Sequence, residues 1–191
     1  MIEENNPNLV KLLKANEQFR KRISIDKLPT ERLPEPVAII TCMDPRVNLE
    51  ALGIPQFSAD GSGNSATRII RTIGAIPEER SLLIGIFLAG IREFIILMHT
   101  DCGCCLAHSK IDTIANNMEK MLPSRQFELF KQQMGEPFHG RLQSHLHTFA
   151  DPEKALIKEI DRLKALPFIP QDVRFHGLLY ELESGEAKVI C

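Results

Sequence analysis

Short and almost wholly apolar runs alternate with longer amphipathic stretches along the chain. The runs 37–42 (VAIITC), 66–74 (ATRIIRTIG) and 92–99 (REFIILMH) have the length and β-branched content of strands that are buried on both faces. The segment 78–91 has helical length and is apolar on most faces, which predicts a buried helix. This alternation of strand, helix and strand favours a parallel sheet with helices on both faces.

The rest of the chain supplies helices and a closing hairpin. Residues 8–22 carry apolar side chains near helical spacing, which predicts an amphipathic helix, and three prolines in 26–36 predict an extended linker. Two helices are expected over 112–122 and 124–134. Asp151 followed by Pro152 predicts the N-cap of a helix that ends near residue 165. A strand over 173–182, a turn at 183–186 and a short strand over 187–190 complete the pattern.

These elements predict one α/β domain over residues 1–191. We expect a central sheet of about four parallel strands with one antiparallel edge strand, flanked by helices. The net charge of −2 offers no electrostatic case for nucleic acid or an anionic membrane as a partner. The longest apolar stretch, 82–89, is too short to span a bilayer, and the first residues lack the pattern of a signal peptide. A cytoplasmic location is therefore expected.

Candidate chemistry lies in two clusters that follow predicted strands. The first is Cys42-Met43-Asp44-Pro45-Arg46, and the second is His99-Thr100-Asp101-Cys102-Gly103. Ligands of open α/β sheets collect beyond the carboxyl ends of the strands, so neighbouring strands would bring Cys42, His99 and Cys102 together. Two thiolates and one imidazole suit Zn²⁺, and three protein ligands leave the fourth position open, as in catalytic sites.

The charged residues beside Cys42 are candidates for controlling that fourth position. An ionised Asp44 is expected to accept a hydrogen bond from zinc-bound hydroxide, with Arg46 holding the carboxylate in place. The alternative, in which Asp44 binds zinc directly and closes the site when Arg46 releases it, stays open. Asp101 is expected to orient the turn between two ligands, and His139, His145 and His147 are expected on a solvated helix face.

The two clusters resemble the signature of the β-class carbonic anhydrases. Cys-x-Asp-x-Arg after one strand and His-x-x-Cys-Gly after another are similar to the family's zinc motifs, and residues 166–189 resemble its closing segment. The length resembles the compact prokaryotic branch. The resemblance implies a homo-oligomer, a dimer or a multiple of dimers, in which the helix and extended arm of residues 1–36 pack on a partner subunit.

The resemblance also implies an activity. It is the zinc-dependent reversible hydration of CO₂ to bicarbonate and a proton, with one Zn²⁺ per subunit and with Gly103, Ile73 and Gly74 at the substrate pocket. Thr72 and Ile73 stand where the family usually has Asn-Ala, so access to the site is expected to differ.

Two alternatives to CO₂ hydration stay open. One is a CS₂ or COS hydrolase that releases H₂S from the same zinc core, because all three substrates are linear and attacked at carbon. The other is a non-catalytic zinc or thiol sensor, because Cys104 and Cys105 crowd beside Cys102.

Overall fold

The computed structural model describes residues 7–22, 37–53 and 67–191, which fall into two compact units. The first unit contains helix α1 (Pro7–Arg22) and a short 3-10 helix (Leu49–Leu52). α1 confirms the amphipathic helix predicted over 8–22. The predicted linker over 26–36 lies outside the described residues. The single domain over 1–191 and the packing of residues 1–36 on a partner stay predictions.

The second unit is built on a five-stranded sheet. Its strands are β1 (Val37–Cys42), β2 (Arg68–Thr72), β3 (Glu93–His99), β4 (Arg174–Tyr180) and β5 (Ala187–Val189). The strand order is β2-β1-β3-β4-β5, in which the first four strands are parallel and β5 pairs antiparallel with β4. This arrangement confirms the predicted sheet of four parallel strands and one antiparallel edge strand.

Helices flank the sheet and lie in the connections from β2 to β3 and from β3 to β4. They are α2 (Glu79–Phe87), α3 (Gly103–Ser109), α4 (Ile111–Met121), α5 (Ser124–Met134), α6 (Phe138–His145) and α7 (Pro152–Lys164). α7 begins as predicted, because the Asp151 carboxylate accepts the backbone N–H groups of Glu153 and Lys154 at 3.0 and 3.1 Å. No helix among the described residues has the length and apolar character needed to cross a membrane.

The main core lies between one face of the sheet and helices α2 and α7. Leu82 and Ile86 of α2 and Leu156 and Ile160 of α7 belong to one buried cluster with Phe94 and other strand residues. Burying these apolar side chains supplies much of the driving force for the fold.

The prediction that the helix over 78–91 is buried is wrong on one side. Ile84, Phe87 and Leu88 are 58%, 65% and 78% exposed. Only the stripe of α2 that carries Leu82 and Ile86 belongs to the core, because a helix on a sheet buries one face. The apolar character of the segment does not distinguish burial on one side from burial on all sides.

The register of the parallel strands places the candidate residues at one edge of the sheet. Thr41 of β1 pairs with Leu97 of β3, so Cys42 and His99 both lie at the carboxyl ends of adjacent strands. The buried Thr41 hydroxyl donates to the Leu97 carbonyl at 3.0 Å and ties the two strand ends together. This edge is where open α/β sheets bind ligands.

Candidate metal centre

Three buried donors meet at the carboxyl edge of the sheet. Cys42 ends β1, His99 ends β3, and Cys102 directly precedes α3. One ligand atom from each lies within 4.8 Å of the other two, and the Cys42 and Cys102 sulfurs are 3.9 Å apart. The structure therefore brings together the three residues that the two motifs singled out.

The imidazole of His99 is oriented for a metal. Its Nδ1 lies 2.8 Å from the Thr100 carbonyl, which accepts a hydrogen bond only from the Nδ1–H tautomer. That tautomer leaves a lone pair on Nε2, which is buried and has no hydrogen-bond partner. A buried polar atom without a partner is costly, and a metal ion at this position would satisfy it. With two sulfurs alongside, the donor set fits Zn²⁺.

Without a metal, the surroundings of Cys42 hold its thiol protonated. The hydrogen bond with Cys102 and then burial raise the pKa of Cys42 to about 11. The backbone N–H groups of Asp44 and Gly74 act in the opposite direction, since both donate to the sulfur and favour the thiolate. A metal ion would replace the thiol proton, and these two donors would then reduce the charge that the sulfur passes to the metal.

The other two donors show a similar balance. A hydrogen bond shared with the Cys104 thiol raises the pKa of Cys102 and lowers the pKa of Cys104. Burial lowers the pKa of His99, but the nearby Cys42 sulfur and the Thr100 carbonyl outweigh burial and raise it overall. For a metal to bind, the two thiols must therefore lose their protons and the imidazole must be neutral.

Asp44 and Arg46 form the ion pair that the sequence predicted. The Arg46 Nε and Nη2 atoms donate to the two Asp44 carboxylate oxygens at 3.0 and 2.8 Å, and the Arg46 backbone N–H donates to one of them at 2.9 Å. These hydrogen bonds hold the pKa of Asp44 at about 2, so the carboxylate is ionised at neutral pH.

Two further contacts of this turn were not anticipated. Arg46 also binds Asp101, donating from Nη1 to the carboxylate at 2.8 Å and from Nη2 to the backbone carbonyl at 3.0 Å. Arg71 donates to the carbonyls of Cys42 and Val47 at 3.0 and 3.3 Å, bracing the backbone that carries Asp44. Both contacts join residues far apart in the chain, so no local spacing points to them.

The three residues expected at a substrate pocket lie in different environments. Ile73 and Gly103 are exposed, whereas Gly74 is buried with a φ of 66°. A Cβ atom on Gly74 would lie 2.7 Å from the Cys104 sulfur and 3.0 Å from a Phe149 ring carbon. Gly74 therefore supports the metal centre from inside, through the hydrogen bond from its backbone N–H to the Cys42 sulfur and through close packing against Cys104 and Phe149.

The additional cysteines are not part of the donor group. Cys104 is buried beside Cys102, and Cys105 is half-buried. Among the described residues, the only set of three or more donors close enough for a metal is Cys42, His99 and Cys102. His139 and His145 lie on an exposed face of α6, as expected, whereas the exposed His147 lies beyond the end of that helix.

Comparison with known proteins supports the reading of the motifs. No protein-family model matches the chain. Carbon disulfide hydrolase of Acidithiobacillus thiooxidans is 29% identical over 76% of this chain and 68% of that protein. Beta-carbonic anhydrase 1 of Mycobacterium tuberculosis is 26% identical over 78% of each chain. The solved carbonic anhydrase from Glaciozyma antarctica matches with a TM-score of 0.68 and 27% identity, covering 93% of this chain and 95% of that one. In sequence and in fold, the chain is thus similar to β-carbonic anhydrases and carbon disulfide hydrolases, which confirms the resemblance carried by its two motifs.

Proposed function

We propose that this chain is a zinc-dependent carbonic anhydrase that reversibly hydrates CO₂ to bicarbonate and a proton. The observation that carries the proposal is the convergence of Cys42, His99 and Cys102 beside an ion pair between Asp44 and Arg46. The similarity in sequence and fold to carbonic anhydrases supports it.

The three donors would hold one Zn²⁺ and leave its fourth position open. A zinc ion with three protein ligands supplies Lewis acidity and makes water a nucleophile at neutral pH. The backbone N–H groups of Asp44 and Gly74 support this acidity by limiting charge donation from the Cys42 sulfur.

Asp44 and Arg46 would orient the attacking water. The Asp44 carboxylate is ionised at neutral pH and can accept a hydrogen bond from the nucleophile. Arg46 holds both carboxylate oxygens, an arrangement that would keep Asp44 pointing in one direction and off a bound metal. Release of Asp44 by Arg46 would let the carboxylate take the fourth position and close the site.

CO₂ is small and apolar, and the exposed side chain of Ile73 offers an apolar surface beside Thr72, which pairs with Cys42. We propose that Ile73, Gly74 and Gly103 form the approach to the metal.

Stopped-flow CO₂ hydration by protein loaded with one zinc ion per chain tests the function. Rapid hydration is expected, and negligible hydration at full zinc loading would refute it.

A second candidate is hydrolysis of CS₂ or COS with release of H₂S. The observation that favours it is the 29% identity to a carbon disulfide hydrolase. A sulfide-release assay on the same zinc-loaded sample distinguishes the two. Rapid sulfide release with little CO₂ hydration would replace the first proposal by the second.

A non-catalytic zinc or thiol sensor would need the neighbouring cysteines. It predicts a four-ligand site that includes Cys104 or Cys105. The donor group within the described residues contains neither, which favours a site with an open position. Zinc content that survives Cys42→Ser but collapses in a Cys104→Ser variant would support the sensor.

We also propose a homo-oligomer, a dimer or a multiple of dimers, in which residues 1–36 pack on a partner. Ile84, Phe87 and Leu88 expose an apolar face on α2, and such a face is typical of an interaction surface. Sedimentation of Phe87→Glu beside Leu129→Glu, an exposed leucine of α5, tests this face. Dissociation in the first variant alone is expected, and dissociation in neither would remove the face from the interface. A cytoplasmic location stays a prediction.

A further inference from the structure

The guanidinium of Arg46 is held from two sides. Asp44 binds Nε and Nη2, while Asp101 binds Nη1 through its carboxylate and Nη2 through its backbone carbonyl. Four of the five guanidinium N–H groups would be engaged by these contacts. A side chain bound in this way has lost most of its rotamer freedom, although half of its surface is exposed to solvent.

The backbone fixes the position of Asp101. Its neighbour Thr100 donates its N–H to the Tyr180 carbonyl at 3.0 Å and accepts the Leu182 N–H on its hydroxyl at 3.1 Å. Asp101 itself has a φ of 52°, in the left-handed region that favours glycine. A carboxylate occurs here although glycine would be less strained, and such strain is often found at functional sites.

These contacts form a chain of support from the end of β4 to the side chain beside the metal centre. Tyr180 and Leu182 hold Thr100, the next residue Asp101 holds Arg46, and Arg46 holds Asp44. The ion pair of Arg46 with Asp101 also joins the turn that follows Cys42 to the turn between His99 and Cys102. Arg46 therefore has an anchor that does not depend on Asp44.

We infer that Asp101 is a positioning residue that fixes Arg46, so that Arg46 keeps the Asp44 carboxylate oriented and away from the open metal position. The inference rests on the proposed function. It assigns Asp101 no contact with substrate. Without Asp101, Arg46 would keep its charge but lose one of its two anchors, and Asp44 would be freer to move onto the metal.

The test compares Asp101→Gly with Glu183→Gln. Glycine suits the left-handed backbone, so Asp101→Gly removes the carboxylate without adding strain. Glu183 lines the same depression as Arg46 and Asp101 and is exposed, so Glu183→Gln removes one nearby negative charge without breaking the anchor. Asp101→Glu tests rescue by a longer carboxylate.

Two readouts are needed. In the metal-free protein, the ¹⁵N–¹H NMR signal of the Arg46 Nε–H, assigned with Arg46→Lys, is expected to be sharp in wild type and Glu183→Gln and exchange-broadened in Asp101→Gly. In the zinc-loaded protein, Asp101→Gly is expected to lose about 10-fold in kcat with KM nearly unchanged. Glu183→Gln should match wild type, and Asp101→Glu should recover part of the loss.

A sharp Arg46 signal in Asp101→Gly would overturn the inference, as would an unchanged kcat or an equal loss in Glu183→Gln. Failure of the proposed function would look different, because wild-type protein would then not hydrate CO₂ at all. The NMR comparison would still decide whether Asp101 anchors Arg46.

Discussion

The metal centre has two parts that differ in their exposure to solvent. Cys42, His99 and Cys102 are at most 4% exposed, whereas the side chains of Arg46 and Asp101 are 51% and 81% exposed. Loss of one donor from the buried set would leave only two protein ligands for the metal, so each donor is expected to be needed. The exposed ion pairs contribute little to the free energy of folding, so their value lies in orienting Asp44.

The largest effect is expected from the buried set. Cys42→Ser, His99→Ala and Cys102→Ser should each lose stoichiometric zinc and with it all activity, since two remaining donors bind zinc weakly. Metal analysis of the purified proteins measures this. Cys191→Ser, at an exposed cysteine, is the matched control and should keep one zinc ion per chain. Full zinc occupancy in any of the three donor variants would contradict the ligand assignment.

Lowering the pH from 8 to 6 should weaken zinc binding by the buried donors without affecting the ion pair of Asp44 with Arg46. The thiols of Cys42 and Cys102, whose pKa values are raised, are protonated at neutral pH in the metal-free protein, so zinc must displace both protons. The apparent affinity for zinc should therefore fall by at least about 10⁴-fold from pH 8 to pH 6, and protonation of His99, whose pKa is also raised, steepens the fall. Competition with a chelator at several pH values measures the slope.

The exposed ion pair should survive the same change. The pKa of Asp44 is lowered from 3.8 to about 2, so its pairing with Arg46 stabilises the fold above pH 3.8 and is lost as the pH falls through 2. For the buried donors, by contrast, an apparent zinc affinity that is the same at pH 8 and pH 6 would contradict the prediction that Cys42 and Cys102 are protonated in the metal-free protein.

Substitutions in the ion pair of Asp44 with Arg46 are expected to cause a smaller loss of activity. Asp44→Asn and Arg46→Ala should keep zinc but lose about 10²-fold in kcat/KM, because the nucleophile is no longer oriented. Stopped-flow kinetics at equal zinc loading measures the loss. Asp112→Asn, at an exposed carboxylate of α4, should be neutral. Normal turnover in either Asp44→Asn or Arg46→Ala would remove that residue from the mechanism.

The smallest effect concerns packing behind the buried donors. Gly74→Ala places a Cβ atom against Cys104 and Phe149 at a positive φ, and should lower the free energy of unfolding by about 1–3 kcal/mol. Gly140→Ala, within α6 and with only an ordinary contact to Pro137, should be neutral or slightly stabilising. Urea denaturation of the metal-free proteins compares them. Equal stabilities would show that the site relaxes around the added methyl group.

The buried part of the site was the predictable part. Cys42 and His99 end two apolar strands, and parallel strands bring their carboxyl ends together, so periodicity and motif spacing were sufficient. The alternation of apolar strands and helices also predicted the four parallel strands, and the pair Asp151-Pro152 predicted the N-cap of α7.

The exposed parts were less predictable. The contact between Arg46 and Asp101 depends on how two turns approach each other, which hydrophobic patterning does not encode. The wrong prediction of a fully buried α2 has a related cause. The sequence shows that Phe87 is apolar, but it does not show which side of the helix faces the sheet. Side chains at strand ends follow from the sheet, whereas contacts between turns require the three-dimensional structure.

The proposed function requires that Cys42, His99 and Cys102 hold one zinc ion and leave one position on it open. X-ray absorption spectroscopy at the zinc edge tests it most directly, on protein loaded with one zinc ion per chain near pH 8. Two sulfur ligands are expected, with nitrogen or oxygen at the remaining positions, and the same sulfur count is expected in Cys104→Ser. Three or four sulfur ligands would contradict it, because Cys104 or Cys105 would then close the site.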